Sequence, residues 1–230
     1  MLKINDLKWD SSFFNKKIGK VEITDEVFNI EEHLLKSYDL IYIFSSQKLK
    51  NNETSTLVDE KVTYFKKIEK SEDHSEILFY DNNCHEQLIK LGLQSGKYSR
   101  FNLDPNFVNN EYENLYTQWV NNSISNADTE IIIEEFENLV VGFVTVVKNN
   151  AAQGEIGLVA VDEAHRGKGI AKKLMKQALA YFYKNNIKEV RVVTQLFNKP
   201  ACKLYESVGF EIEDVKYIYH HWTNTNILNK

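Results

Sequence analysis

The sequence is poor in glycine, proline, cysteine and arginine. Its 230 residues include nine glycines and two prolines, about half and about a fifth of the usual shares. These low counts exclude collagen-like, linker-rich and low-complexity proteins. The two cysteines, Cys84 and Cys202, are isolated and lack CxxC spacing. They therefore indicate a reducing compartment and neither a disulfide framework nor a cysteine metal site.

Long apolar runs and an excess of positive charge are also missing. No apolar run approaches ~18 residues, so we expect no membrane span. The net charge of −5 argues against general binding of duplex nucleic acid, which needs a basic face. Residues 1–6 do not have the pattern of a signal peptide, and we expect a cytoplasmic protein. The 43% of apolar residues is typical of a globular protein with a sizeable core.

The order of apolar patterns predicts an α/β (α+β) fold with a mixed central sheet. A polar segment at 70–75 predicts a small N-terminal α/β domain (1–74), a larger domain (75–225) and a frayed tail (226–230). Gly92 is placed to end a helix. Alternating aromatics in the last strand indicate a paired edge, and hence a homodimer. The predicted strands are 21–23, 39–44, 61–68, 77–80, 130–135, 140–147, 155–161, 189–194 and 216–222. The predicted helices are 30–37, 84–91, 112–120, 170–182 and 199–207.

A basic glycine turn between a strand and a helix is the most informative segment. Four of the nine glycines fall within residues 154–169, and the turn itself reads RGKGIA. Glycines let a backbone approach a ligand, and a helix start offers unpaired N–H groups to a phosphate. The Walker pattern is absent because no Gly-Lys-Ser or Gly-Lys-Thr occurs. The dinucleotide pattern fails because Lys172 replaces its third glycine. The alternative is a glycine turn that only caps a surface helix.

A second motif follows the next predicted strand. Residues 198–210 read NKPACKLYESVGF. Together, R/Q-x-x-G-x-G/A at 166–171 and N-x-x-A-x-x-x-Y-x-x-x-G-F at 198–210 resemble the GCN5-related N-acetyltransferases (GNAT), over residues 76 to 222. The resemblance implies the GNAT acyl-CoA N-acyltransferase fold with acetyl-CoA as cosubstrate, its pantetheine arm lying between two splayed strands. The implied coenzyme contacts are Leu158, Val159, Val161, Arg166, Gly167, Lys168, Gly169, Ile170, Ala171, Asn198 and Tyr205.

The resemblance also implies two catalytic roles. A backbone N–H of Leu158 or Val159 would polarise the thioester carbonyl, as an oxyanion hole does. Tyr205 would act as general acid and protonate the leaving thiolate. The alternative for Tyr205 is ordinary core packing on an amphipathic helix.

Further segments are similar to one branch of the family, which acetylates TDP-4-amino-4,6-dideoxyhexoses. The similar segments are 7–14, 99–101, 115–120 and 190–195. This implies a nucleotide-linked amino sugar as acceptor, with a homodimeric enzyme. Asp59 matches a carboxylate of that branch that takes the amine proton through water. The branch has a glutamate there, and the adjacent Glu60 is the alternative. Arg100 and Gln195 are the candidate acceptor contacts, and Arg100 suits a phosphate.

Two other functions remain open from the sequence. One is a GNAT enzyme that acetylates a protein N-terminus, a lysine or a small amine. The other is a coenzyme A-binding module without catalysis. His165, His220 and His221 lack ligand spacing with any cysteine or acid, so we expect no metal site.

Overall fold

The computed structural model describes residues 3–24, 35–50, 54–69 and 76–223. Its helices and strands are numbered here in chain order. The helices are α1 (Lys8–Phe14), α2 (His85–Ser95), α3 (Arg100–Leu103), α4 (Glu111–Ser125), α5 (Ile170–Lys184) and α6 (Lys199–Ser207). The strands are β1 (Asn5–Asp6), β2 (Ile18–Ile23), β3 (Leu40–Ser45), β4 (Thr56–Lys67), β5 (Thr129–Phe136), β6 (Leu139–Lys148), β7 (Gln153–Val161), β8 (Glu189–Gln195) and β9 (Glu211–Trp222).

All nine described strands form one mixed sheet. Their order is β1-β2-β3-β9-β4-β8-β7-β6-β5. The neighbours β2 and β3 are parallel, as are β7 and β8, and the other pairs are antiparallel. This confirms the predicted α/β class with a mixed central sheet.

The strands of the N-terminal part join the same sheet as the rest of the chain. β4 lies between β8 and β9, and β9 lies between β3 and β4. The prediction of a paired edge at the last strand is therefore wrong, because β9 has a neighbour on both sides. The homodimer loses that support and stays a prediction. The proposed domain boundary at 74, the segment 70–75 and most of the helix expected at 30–37 lie outside the described residues.

Several predicted elements have different ends in the structure: β4 begins at Thr56, β9 begins at Glu211 and α4 ends at Ser125. Two further differences concern Gly92 and the strand expected at 77–80. The helix expected to stop at Gly92 continues to Ser95. Gly92 instead lets α2 approach α4, because a Cβ there would lie 2.6 Å from Val120 Cγ2. The strand expected at 77–80 is reduced to one bridge, between Phe79 and Ile132 on the outer strand β5.

Helices cover both faces of the sheet and bury two large apolar clusters. On one face, Leu174, Met175 and Phe182 of α5 pack on Ile156 and its neighbours. On the other, α2 and α4 pack on the strands around Phe143. An amphipathic helix needs such a surface to bury its apolar stripe. The ends of β7 and β8 lie between these two layers.

Candidate active site

The parallel strands β7 and β8 separate along their length and open a cleft. They pair from Gln153 with Glu189 to Ile156 with Val192, and the pairing ends there. A cavity of about 490 Å³ occupies the opening. Among the expected site residues, its wall includes Leu158, Val159, Val161, Arg166, Gly167, Gly169, Ile170, Ala171, Gln195, Asn198 and Tyr205. The structure thus brings together the two motifs that the sequence separates.

The glycine turn forms the floor of one end of the cleft. Gly167 and Gly169 have φ of 78° and 81°, the left-handed region that side chains rarely adopt. A Cβ at either position would have no atom within 4 Å, so this backbone is open to a ligand. α5 begins at Ile170 without a side-chain cap from the described residues. Its first amides can therefore bind an anion such as a diphosphate.

A glutamine that the sequence did not single out braces this turn. Gln94, near the end of α2, accepts hydrogen bonds through Oε1 from the Glu163 amide (3.0 Å) and from Arg166 Nη2 (3.5 Å). Its Nε2 donates to Asp162 Oδ2 at 3.3 Å. Arg166 Nε also donates to the Val161 carbonyl at 3.0 Å. The contacts span distant segments, so no local motif could reveal them.

The strand β7 carries a β-bulge where it borders the cleft. Its pairing with β6 is interrupted between the pairs Val146–Ile156 and Val144–Val159, so Gly157 and Leu158 oppose Thr145. The Leu158 amide donates to Thr145 Oγ1 at 2.7 Å and so points to β6. Consecutive amides of a strand point to opposite edges, which turns the Val159 amide to the cleft. The Leu158 amide is therefore not the expected contact for the thioester carbonyl, because it faces β6 and not the cleft.

Tyr205 lies buried at the cleft wall, and its ring packs on Tyr64 and Phe210 with centroids 5.7 and 6.2 Å away. Burial raises the pKa of Tyr205 above its ordinary value. Its phenol is therefore protonated at neutral pH and can donate a proton. Asn198 caps α6: its Oδ1 accepts from the Ala201 amide at 3.4 Å and its Nδ2 donates to Thr194 Oγ1 at 3.3 Å.

Asp59 and Arg100 are not among the residues that line the cavity. Asp59 is 5% exposed, and burial raises its pKa to about 6 against the opposing charges of Arg100 and Lys61. The Arg100 guanidinium stacks over the Tyr42 ring at 4.8 Å. Glu60, the alternative acid, is bound elsewhere by Lys48 Nζ at 2.7 Å.

A buried polar cluster lies beside Arg100, and no sequence motif predicts it. His220 Nδ1 lies 2.5 Å from Asp104 Oδ2, to which Trp222 Nε1 donates at 2.9 Å. Burial lowers the pKa of His220 to about 4, so this ring is neutral at pH 7. The described residues contain no group of three or more His, Cys, Asp or Glu side chains that could hold a metal. In the same ranges, no helix has the length and apolar character that crossing a membrane requires.

The cleft therefore combines an anion-binding turn, an inward-facing strand amide and a protonated phenol. The sequence profile of the Acetyltransferase (GNAT) family matches residues 98–210, which include all three features. The fold agrees, since a putative GNAT acetyltransferase from Novosphingobium aromaticivorans superposes with a TM-score of 0.54. That structure is 14% identical, and the match covers 82% of this chain and 78% of that one. The chain belongs to the GNAT acetyltransferase family.

Three relatives with similar sequences cover different shares of this chain. The dTDP-fucosamine acetyltransferase of Escherichia coli O6:H1 is 24% identical and spans 93% of this chain and 96% of its own length. The Bacillus subtilis spore coat polysaccharide biosynthesis protein SpsD is 26% identical over 60% of this chain. N-alpha-acetyltransferase 30 of Saccharomyces cerevisiae is 38% identical over 27% of it. The chain spans only 47% and 36% of the lengths of the latter two.

Proposed function

We propose that this protein is an acetyl-CoA-dependent N-acetyltransferase whose acceptor is the amino group of a nucleotide-linked sugar of the TDP-4-amino-4,6-dideoxyhexose type. The observation that carries the proposal is the opening between β7 and β8, which unites the glycine turn with Tyr205. The GNAT family uses acetyl-CoA in general, and the cleft residues fit it. Acetyl-CoA supplies the acetyl group as a thioester.

The glycine turn binds the diphosphate of the coenzyme. Its donors are the backbone amides from Gly167 to Ala171, and Arg166 and Lys168 add positive charge. Amides at a helix start have no partner within the helix and favour an anion. The local donors matter because the whole chain carries a net charge of −5.

The transfer step uses two groups on opposite walls of the cleft. The Val159 amide donates to the thioester oxygen and stabilises the negative charge that grows there when the amine attacks the carbonyl carbon. Tyr205 gives its proton to the sulfur as the carbon–sulfur bond breaks. No covalent bond to the enzyme forms. The nitrogen is cationic once it has attacked and releases its extra proton to solvent, and solvent returns a proton to the Tyr205 phenolate.

The acceptor side lies toward the N-terminal strands. An alkyl ammonium must lose a proton before it can attack. Asp59 is hydrogen-bonded to the side chain of Gln195, which lines the cavity, and takes that proton through water. A base with a pKa near 6 is deprotonated at neutral pH, which suits this role. Arg100 and Gln195 bind the acceptor. The similarity to dTDP-fucosamine acetyltransferase over 93% of the chain supports a sugar, because it extends beyond the two motifs to the helix and strands that bear these residues.

A second candidate function is acetylation of a protein N-terminus. The match to N-alpha-acetyltransferase 30 favours it, although that match covers 63 residues only. A non-catalytic coenzyme A-binding module is the third candidate. Its support is weaker, because Tyr205 and the amide-lined turn occupy one cleft.

An acceptor panel separates these functions. Release of coenzyme A from acetyl-CoA is followed with TDP-4-amino-4,6-dideoxyhexoses, UDP-amino sugars, N-terminal peptides and polyamines. We expect the largest kcat/KM with a TDP-4-amino sugar. Turnover confined to peptides would replace the sugar by a protein acceptor. Tight coenzyme binding without turnover on any amine would favour the binding module.

A further inference from the structure

The β-bulge of β7 determines which backbone amides face the cleft. The Leu158 amide points to β6, where it donates to Thr145 Oγ1, and the Asp162 amide also points to β6, where it donates to the Val141 carbonyl at 2.8 Å. Amides alternate along a strand. Those of Val159 and Val161 therefore face the opposite edge, which borders the cleft. A shift of the bulge by one residue would reverse this orientation.

A side chain of β6 forms a hydrogen bond with the bulge at this position. Thr145 is 2% exposed, and its hydroxyl takes the place of a backbone carbonyl as the acceptor for the Leu158 amide. Without that acceptor, an amide inside the sheet would lose its partner, at a cost of about 1–3 kcal/mol. A carbonyl of β6 cannot serve both residues of the bulge equally well, since two residues of β7 oppose one of β6.

Gly157 fits the same arrangement. A Cβ at Gly157 would lie 2.7 Å from Thr145 Oγ1, closer than such atoms approach. The absence of a side chain at Gly157 on β7 thus leaves room for the Thr145 hydroxyl on β6. This explains a glycine whose φ lies outside the left-handed region and which the family motif does not include.

We infer that Thr145 is a positioning residue for acetyl transfer. Its hydroxyl fixes the Leu158 amide toward β6 and thereby directs the Val159 amide to the thioester oxygen. Thr145 itself touches neither substrate in this arrangement. The inference rests on the proposed acetyl transfer and adds a residue on β6, outside both sequence motifs.

The test compares Thr145→Val, which keeps the shape and removes the hydroxyl, with Thr145→Ser, which keeps the hydroxyl. The first readout needs no acceptor. [1-13C]acetyl-CoA is bound to each protein, and the carbonyl 13C resonance is compared with that of free acetyl-CoA. A hydrogen bond to the oxygen polarises the carbonyl and moves its resonance downfield. We expect the downfield shift in the parent protein, a smaller one in Thr145→Val and a restored one in Thr145→Ser.

The second readout is kinetic. Thr145→Val is expected to lower kcat about 10- to 100-fold, the scale of a small misplacement at the reacting centre. The KM for acetyl-CoA should change little, because the glycine turn is intact. An unchanged 13C resonance and kcat in a folded Thr145→Val protein would overturn the inference. If the parent protein binds acetyl-CoA but acetylates no amine on the panel, the proposed function fails, and the 13C comparison still tests the position of the amide.

Discussion

Gln94 and Arg166 meet at the mouth of the cleft, where Arg166 Nη2 donates to Gln94 Oε1 at 3.5 Å. The same oxygen accepts the Glu163 amide, so one side chain of α2 braces the segment that leads into the glycine turn. We therefore expect coenzyme binding to depend on a helix that comes much earlier in the chain.

Replacing Gln94 should weaken coenzyme binding without stopping chemistry. Gln94→Ala removes one hydrogen bond to the turn and two to the segment that leads into it. We expect the KM for acetyl-CoA to rise about three- to tenfold. The kcat should stay within about twofold, because binding common to ground and transition states affects KM. Gln118→Ala is the matched control, since Gln118 is exposed and its side chain bonds Asn122 within its own helix. An equal rise in the KM for acetyl-CoA in both variants would show that Gln94 does not support the turn.

Removing the phenolic hydroxyl of Tyr205 tests the general acid. Tyr205→Phe keeps the ring contacts with Tyr64 and Phe210, and we expect kcat to fall about 10²–10⁴-fold. Burial raises the pKa of Tyr205, so no loss of activity from its ionisation is expected up to pH 9. Tyr181→Phe is the control, because Tyr181 is buried on α5 away from the cleft wall. A kcat for Tyr205→Phe near that of the parent protein would exclude the role.

Activity should depend on the ionisation of Asp59. A base must be deprotonated, and burial raises the pKa of Asp59 to about 6. The kcat/KM for the acceptor should therefore rise with pH through about 6, in addition to the rise that deprotonation of the amine causes. Asp59→Asn should abolish the limb near pH 6 and lower kcat/KM about 10²-fold at pH 7. Glu60→Gln should keep the parent profile. A limb that survives in Asp59→Asn and vanishes in Glu60→Gln would assign the base to Glu60.

The same carboxyl should cost stability at neutral pH. The pKa of Asp59 in the fold is about 6, above its ordinary value of 3.8. The folded state thus favours the protonated form, and this stabilisation is present below pH 3.8 and lost as pH rises through 6. We expect Asp59→Asn to exceed the parent in free energy of unfolding by about 1–3 kcal/mol at pH 8. Denaturant titrations at pH 4 and pH 8 measure this. A deficit at pH 8 would show that ion pairing outweighs burial at this site.

Sequence patterns within a few residues were enough to predict the helices that bear the two motifs. α6 begins and ends as predicted, at Lys199 and Ser207, because Asn198, Pro200 and the apolar stripe all act within a few residues. α5 likewise begins at Ile170, directly after the glycine turn. The opening between β7 and β8 was expected only from the family resemblance, and the register that ends at Ile156 confirms it.

Contacts between segments that are distant in the chain could not be predicted from the sequence. Alternating aromatics in β9 are compatible with an edge or with an interior strand, and only the placement of β4 beside it decides. The sequence pattern predicts a helix end at Gly92, because it does not show that Gly92 packs against Val120 of another helix. The partners of Gln94 and Thr145 are similarly remote. The burial of Asp59 depends on β4 joining a sheet whose other strands come mainly from the C-terminal part.

A competition experiment tests whether the acceptor of this protein is a sugar nucleotide or a peptide. TDP-4-amino-4,6-dideoxygalactose and an N-terminal peptide are mixed in equal amounts with limiting acetyl-CoA and the protein, and mass spectrometry counts the acetyl groups on each. The product ratio gives the ratio of the two kcat/KM values. We predict that the sugar nucleotide receives nearly all of the acetyl groups, on its amine. Acetylation of the peptide with the sugar nucleotide left unchanged would show that the acceptor is not a sugar nucleotide.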